Sequence, residues 1–140
     1  MNPLKNNLSA NRQSNKTTGN VGEIIAGKYL EKNGYEILEK NYYSRDGEID
    51  LICKKGNELI FVEVKTRKNI RFGFPEESIT NKKQMNLAKT AEKFLNQSGY
   101  KYGAIRVDAV SIIIEKNRHA KIKHFKNIVQ DLTIDSETSR

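Results

Sequence analysis

Asp50, Glu63 and Lys65 are the residues of this chain whose types and spacing suit a chemical role. Two turn residues, Gly56-Asn57, separate two short runs in which apolar and charged side chains alternate. In a two-residue hairpin Lys55 pairs with Glu58, and paired residue numbers keep a constant sum along the ladder. Asp50 is then predicted opposite Glu63, and Glu48 opposite Lys65. One face reads Glu48/Lys65, Asp50/Glu63 and Ile52/Phe61; the other reads Ile49/Val64, Leu51/Val62 and Cys53/Ile60. Like charges placed directly opposite cost up to about 1 kcal/mol, a repulsion that a divalent cation would remove. Two carboxylates about 5 Å apart at Cβ can share one hard cation, Mg²⁺ or Mn²⁺, with the Val64 carbonyl completing the protein's share. Lys65 projects to the same face, where it can position or deprotonate an attacking water and stabilise a pentavalent phosphorane. Glu23, on a predicted helix, could add a carboxylate to the same metal or to a second one. These are the parts of metal-assisted phosphodiester hydrolysis.

The bland reading of the same residues is a solvated sheet face in which Glu48/Lys65 and long side chains relieve the repulsion. Glu23 reads equally as an ordinary residue on the wet side of its helix. Arg45, Arg67, Lys68, Arg71, Lys82 and Lys83 are candidate phosphate contacts, but a run of charge is often only a wet surface. Asp108 reads as a turn cap, or as a residue that orients the site. His119 and His124, five apart and with no second cysteine nearby, do not form a zinc pattern.

The elements that must position these groups follow from periodicity. Residues 1–19 are rich in Asn, Ser and Lys and nearly free of large apolar groups, so they are expected to be a flexible basic arm. A helix is predicted from Val21 to a cap at Asn33-Gly34. Val21, Ile24, Ile25 and Tyr29 form one apolar arc, and Glu23, Ala26, Gly27 and Leu30 form a second stripe of mostly small residues. Tyr35–Tyr43 reads as a strand, and the hairpin follows as Glu48–Cys53 and Leu59–Lys65. Arg67–Phe74 is a basic loop, Pro75-Glu76-Glu77 has the chemistry of a helical first turn, and Thr80 caps a helix running to about Gln97. That helix is expected to bury Leu87, Ala88, Ala91, Phe94 and Leu95. Ile105–Ile114 and His119–Phe125 complete the order α-β-β-β-α-β-β. Helices at two points around a central sheet imply an α/β or α+β sandwich, and the hairpin, apolar on both faces near its turn, implies a layer on each side.

With 140 residues the chain suits one domain, expected over 20–130, with an acidic tail at 131–140. Net charge is +8, and the stretch 20–130 keeps 21 basic residues against 14 acidic ones, so the globular part itself is basic and favours polyanions. The single cysteine excludes an internal disulfide framework. No apolar run approaches the roughly 18 residues of a membrane helix, and the N-terminus lacks the apolar stretch of a secretion signal. The expected location is therefore the cytoplasm, away from membranes.

The sequence GEIDLI at Gly47–Ile52 followed by FVEVKTR at Phe61–Arg67 resembles the PD-(D/E)XK nuclease signature, with Asp50 as the D and Glu63-Val64-Lys65 as the E-x-K. More closely, the chain resembles the YraN-like family of small bacterial proteins, related in fold to archaeal Holliday-junction resolvases. The resemblance covers roughly residues 20–125. It includes Gly22-Glu23-x-x-Ala26, Gly34-Tyr35-x-Ile37-Leu38-x-x-Asn41, Phe72-Gly73-x-Pro75, Lys83 and Arg106-x-Asp108. It implies a restriction-endonuclease-like core, a mixed sheet flanked by helices. It further implies Asp50 and Glu63 on the metal, Lys65 catalytic, and Glu23 assisting from the helix. Ile49 stands where the motif's namesake has Pro, and Tyr43 stands where an arginine is expected in many relatives, with Arg45 nearby.

The expectation is a Mg²⁺-dependent DNA endonuclease acting on branched DNA, working as a homodimer where both strands are cut. A nuclease-fold module that binds nucleic acid without cutting is the alternative. A third reading, a protein-assembly factor with a basic arm, is separated from both by salt-sensitive DNA binding.

Overall fold

The turn forms as its residue types require. Gly56 takes a φ of 60° while Asn57 is not among the positive-φ residues, which is the pattern of a type II′ hairpin, and Lys55 pairs with Glu58. The computed structural model describes residues 3–71 and 73–129; the acidic tail expected at 131–140 lies outside the described residues. The elements run α1 Pro3–Lys32, β1 Glu36–Ser44, β2 Gly47–Lys55, β3 Glu58–Arg67, a 3₁₀ turn Pro75–Ser78, α2 Asn81–Ser98, β4 Ala104–Ile114 and β5 Ala120–Phe125. Element order and type match the sequence reading.

The start of α1 does not match. The helix begins at Pro3, so residues 3–19, expected as an arm ahead of it, are helical backbone. Proline suits a first helical position, and once the docked segment is nucleated each added residue gains a hydrogen bond at little further cost. At the other end α1 closes as read, with Gly34 at a φ of 86° and the Tyr35 N–H donating back to the Leu30 carbonyl.

The five strands lie in sequence order β1-β2-β3-β4-β5. β3 and β4 are parallel and the other neighbours antiparallel, so α2 serves as the crossover between them. The result is a mixed α/β fold of three layers. Against one face, Ala26 and Leu30 of α1 pack on Leu51, Cys53, Ile60, Val62, Val110 and Ile112. Against the other, Leu87, Ala91, Phe94 and Leu95 of α2 pack on Ile49, Ile52, Leu59, Phe61 and Val107. Thr80 caps α2 by accepting from the Lys83 N–H, and Gly99 ends it in a left-handed conformation. Ala88, expected in this core, is only half-buried.

α1 buries its small-residue stripe and leaves part of its apolar arc in water: Val21 and Ile24 are 40% and 56% exposed. The reason is steric. Ala26 and Gly27, the latter close against Ile37, let the helix axis approach the sheet, whereas the bulkier arc would hold it away. Cys53 is buried and free, its thiol pushed up to about 12 by burial. Among the described residues no helix is long and apolar enough to cross a membrane.

Candidate metal and nucleic-acid site

The hairpin register holds from Lys55/Glu58 to Leu51/Val62 and stops there. Beyond that point β2 stays paired with β1 as far as Gly47, and β3 stays paired with β4 as far as Arg67, so the two strands part at Asp50 and Glu63. Asp50 bridges the parting with its side chain: the Val64 N–H donates to Asp50 Oδ2 at 2.8 Å. On the opposite side of β2, the register with β1 skips Asn41 and Asp50, and Asn41 adopts a φ of 53°. The face pattern slips at this break. Ile49 packs with Ile52 against α2 instead of with Val64 against α1. This corrects the predicted pairing of Ile49 with Val64 on one face, since strict alternation requires an unbroken ladder.

Asp50 and Glu63 still meet, now side chain to side chain, and a hydrogen bond joins the two carboxyls. Burial, and then the charge of Asp50, pushes Glu63 up to about 7. Burial also raises Asp50, with the Val64 N–H opposing and the charge of Glu48 adding to the rise. The pair therefore holds a proton between its members near neutral pH. Lys65 Nζ lies 3.5 Å from Glu63 Oε1. The predicted Glu48/Lys65 pairing gives way to other partners: Glu48 accepts from the Tyr43 hydroxyl, and Lys65 turns to Glu63 and Lys83.

α1 brings Glu23 to the open end of the hairpin. A Cβ on Gly22 would overlap the Thr66 side chain of β3, so glycine is what seats the helix there. Glu23 then hydrogen-bonds Asn41, and burial, followed by the charges of Asp50 and Glu48, raises it. Among the described residues no three His, Cys, Asp or Glu side chains converge on one metal position. Glu23 stands beside the Asp50–Glu63 pair without forming a three-carboxylate set. From the other layer, Lys83 in the first turn of α2 reaches Lys65, and burial together with that neighbouring ammonium lowers it.

Two cavities meet at Lys65. On the α1 side a groove of about 660 Å³ is lined by Glu23, Val64, Lys65, Thr66, Arg67 and Lys68. On the α2 side a smaller one of about 210 Å³ is lined by Asp46, Glu48, Glu63, Lys65, Lys83 and Asn86. The structure thus brings together Asp50, Glu63, Val64, Lys65, Glu23, Arg67 and Lys83. Arg45 sits in the β1–β2 turn, Arg71 in the loop after β3, and Lys82 is exposed on the first turn of α2. The hydrogen bond from Lys93 lowers the half-buried Asp46, and Arg45 is among the charges that add to it.

Sequence reasoning missed two features. Asn41 hydrogen-bonds Glu23, and although it stands in the family motif that begins at Gly34, nothing in the motif pairs it with the helix. Asp108, read as a turn cap or as a residue that orients the site, is fully buried and centres a hydrogen-bond network that neither reading contained. It accepts two bonds from Arg106 at 2.8 and 2.9 Å, one from the Asn127 N–H at 2.9 Å, and lies 2.8 Å from His124 Nε2. Arg106 also donates to Tyr35 and Glu58, and Tyr29 meets His124 Nδ1 at 3.2 Å.

The sequence profile described as "Uncharacterised protein family UPF0102" matches residues 22–112, a span that runs from the Gly22 contact through both arms of the hairpin to near the end of β4. Similar proteins include the UPF0102 protein of Syntrophomonas wolfei, 45% identical over 113 residues that cover 81% of this chain and 97% of that one. The UPF0102 protein of Caldicellulosiruptor bescii is 46% identical over 121 residues, covering 83% and 96% of the two chains. That of Geotalea daltonii is 40% identical over 116 residues, covering 83% and 91%.

Proposed function

The chain belongs to the UPF0102 family, and from the Asp50 and Glu63-Val64-Lys65 motif and the geometry of its site we propose that it is a Mg²⁺-dependent nuclease of the PD-(D/E)XK class, hydrolysing phosphodiester bonds in DNA. The observation that carries this reading is the parted end of the β2–β3 hairpin, where Asp50 and Glu63 share a proton with Lys65 3.5 Å from Glu63. The three-layer mixed sheet supports a restriction-endonuclease-like core, with the Asp on β2 and the Glu-x-Lys on β3.

The residues fit a hard divalent cation. Two half-buried carboxylates forced together retain a proton, and a cation in that place would relieve the same repulsion. Asp50, Glu63 and the Val64 carbonyl are the groups that would hold it. A Mg²⁺ held there would polarise a phosphoryl oxygen and lower the pKa of bound water. Lys65 supplies a positive charge where a phosphorane would build negative charge. Glu23, raised by burial and by its acidic neighbours, faces the same groove and can accept a proton nearer neutral pH than an ordinary carboxylate. Arg67 in the groove and Lys83 at the α2 N-terminus flank the carboxylates with positive charge suited to phosphates.

The test is a panel of labelled single-stranded, duplex, flapped and branched DNAs incubated with Mg²⁺ or Mn²⁺. Wild type is expected to cut at least one of them. Lys65→Ala should lose cleavage by 100-fold or more, on the order of a lost charge-stabilising group, while keeping DNA affinity. Asp50→Ala should also lose the calorimetric heat of Mg²⁺ binding. Cleavage by wild type and both variants alike would sink the assignment. A non-catalytic nucleic-acid-binding module is the second reading, favoured because among the described residues no third carboxylate converges with Asp50 and Glu63. Salt-sensitive binding by a wild type that cuts nothing would select it. Cutting both strands of a duplex would call for two copies of this one-site chain.

A further inference from the structure

The basic surface continues past Lys65 across the sheet. Facing residues in neighbouring strands share a sheet face, and the register carries two rows from β3 through β4 to β5. One row is Lys65, Ser111 and Lys123; the next is Arg67, Ile113 and Lys121. Two strand spacings put Lys123 about 10 Å from Lys65 at the backbone. α2 packs on β1 and β2, and the 3₁₀ turn crosses β3 and β4. Over β4 and β5 this leaves a concave patch of about 450 Å³.

The patch has an apolar floor and a basic rim. Ile113 lines it together with Phe74 and Ile70, which are 41% and 50% exposed. Lys123 sits 5.0 Å from the centre of the Phe74 ring. Lys121 is held by Glu115 at 3.0 Å and Lys123 by Glu76 at 3.7 Å, so both ammonium groups are oriented at the rim. Four lysines against one glutamate line the patch, a balance complementary to a polyanion. Lys68 and Asn69 line both this patch and the α1-side groove, which makes the two continuous.

A duplex would offer this surface its phosphates, while its bases stay stacked inside. An unpaired strand offers phosphates and base faces together, and an aromatic ring beside lysines receives both. Resting on the nuclease reading above, we propose that this patch binds the single-stranded flank of a DNA substrate as it leaves the candidate site, with a base against Phe74 and phosphates on Lys121 and Lys123.

The test uses the full-length chain without divalent cation, so that binding is read apart from cleavage. Fluorescence anisotropy compares a duplex carrying a single-stranded tail with the blunt duplex at one salt concentration. Wild type is expected to prefer the tailed DNA. Phe74→Ala should weaken the tailed complex about fivefold or more, as loss of one stacked base does, and leave the blunt complex within about twofold. Lys121→Gln with Lys123→Gln should flatten the salt dependence for the tailed DNA. Ile70→Ser provides a second probe of the floor, and thermal melting checks that each variant is folded. Equal affinity of wild type and Phe74→Ala for tailed DNA would overturn the inference, even with cleavage intact. Loss of cleavage in all DNAs with the tail preference kept would instead overturn only the nuclease reading. A Phe74-dependent affinity for polyglutamate exceeding that for tailed DNA would also overturn it, assigning the patch to an acidic protein segment.

Discussion

Glu63 is the residue on which metal binding and stability meet. Burial and the adjacent Asp50 push it up to about 7, against an ordinary value of 4.5. Between these values the folded chain keeps a proton that the unfolded chain has released. The stability this contributes is fully present below pH 4.5 and is lost as the pH rises through about 7. The loss amounts to at most about 3 kcal/mol. Without divalent cation, the melting temperature should therefore fall between pH 5 and pH 8. Mg²⁺ should restore it most at pH 8, where the cation need not displace a proton. Glu63→Gln, which keeps the hydrogen bond and removes the titration, should flatten both effects. A wild-type slope unchanged by this substitution would show that the carboxyl pair is not protonated in the fold.

The element that aims the site is α1, and its seating turns on one missing methyl group. Alanine at position 22 would gain about 1 kcal/mol in helix propensity and lose more by overpacking against Thr66, typically 1–3 kcal/mol. The expected result for Gly22→Ala is a lower melting temperature and weakened cleavage through displaced Glu23. Thr66→Ala in the same chain should recover part of both, because it removes the nearest atoms while leaving its own Cβ. Additive losses in the double variant would exclude this contact as the cause. The Gly22-Glu23-x-x-Ala26 motif was visible in the sequence; the partner was not, since a helix periodicity does not say which strand lies beneath. The same boundary runs through the hairpin. Its turn, its register from Lys55/Glu58 to Leu51/Val62, and the meeting of Asp50 with Glu63 follow from local rules. The parting of the strands does not, because it arises from β1 holding β2 and β4 holding β3. The left-handed Asn41 and the transfer of Ile49 to the α2 side depend on the same tertiary competition. So does the choice of the small-residue stripe of α1 over its apolar arc.

At the scale of the molecule, the layer beneath α1 is tied together by Asp108. Its carboxylate meets Arg106 and His124, and through them Tyr35, Glu58 and Tyr29, so one buried charge links α1, the segment before β1, and strands β3, β4 and β5. Burial alone would raise Asp108, but the bonds from His124 and Arg106 outweigh it and hold the carboxyl below its ordinary 3.8. The sign is opposite to that of Glu63. Stability from Asp108 is present above pH 3.8 and is lost as the pH falls through the lower folded value. Stability should accordingly fail on both sides, from Asp108 in acid and from Glu63 toward alkaline pH when divalent cation is absent. Asp108→Asn separates the two. It leaves the Arg106 guanidinium, only 19% exposed, facing a neutral amide, and breaking such a buried pair costs about 3–5 kcal/mol. Thermal melts of Asp108→Asn should show a large loss at pH 7, a weaker acid limb than wild type, and an alkaline limb unchanged. Mg²⁺ should still protect the variant at pH 8, because the Asp50–Glu63 pair lies at the parted end of the hairpin and takes no bond from this network. Loss of that protection would mean that the network and the metal site form a single cooperative unit.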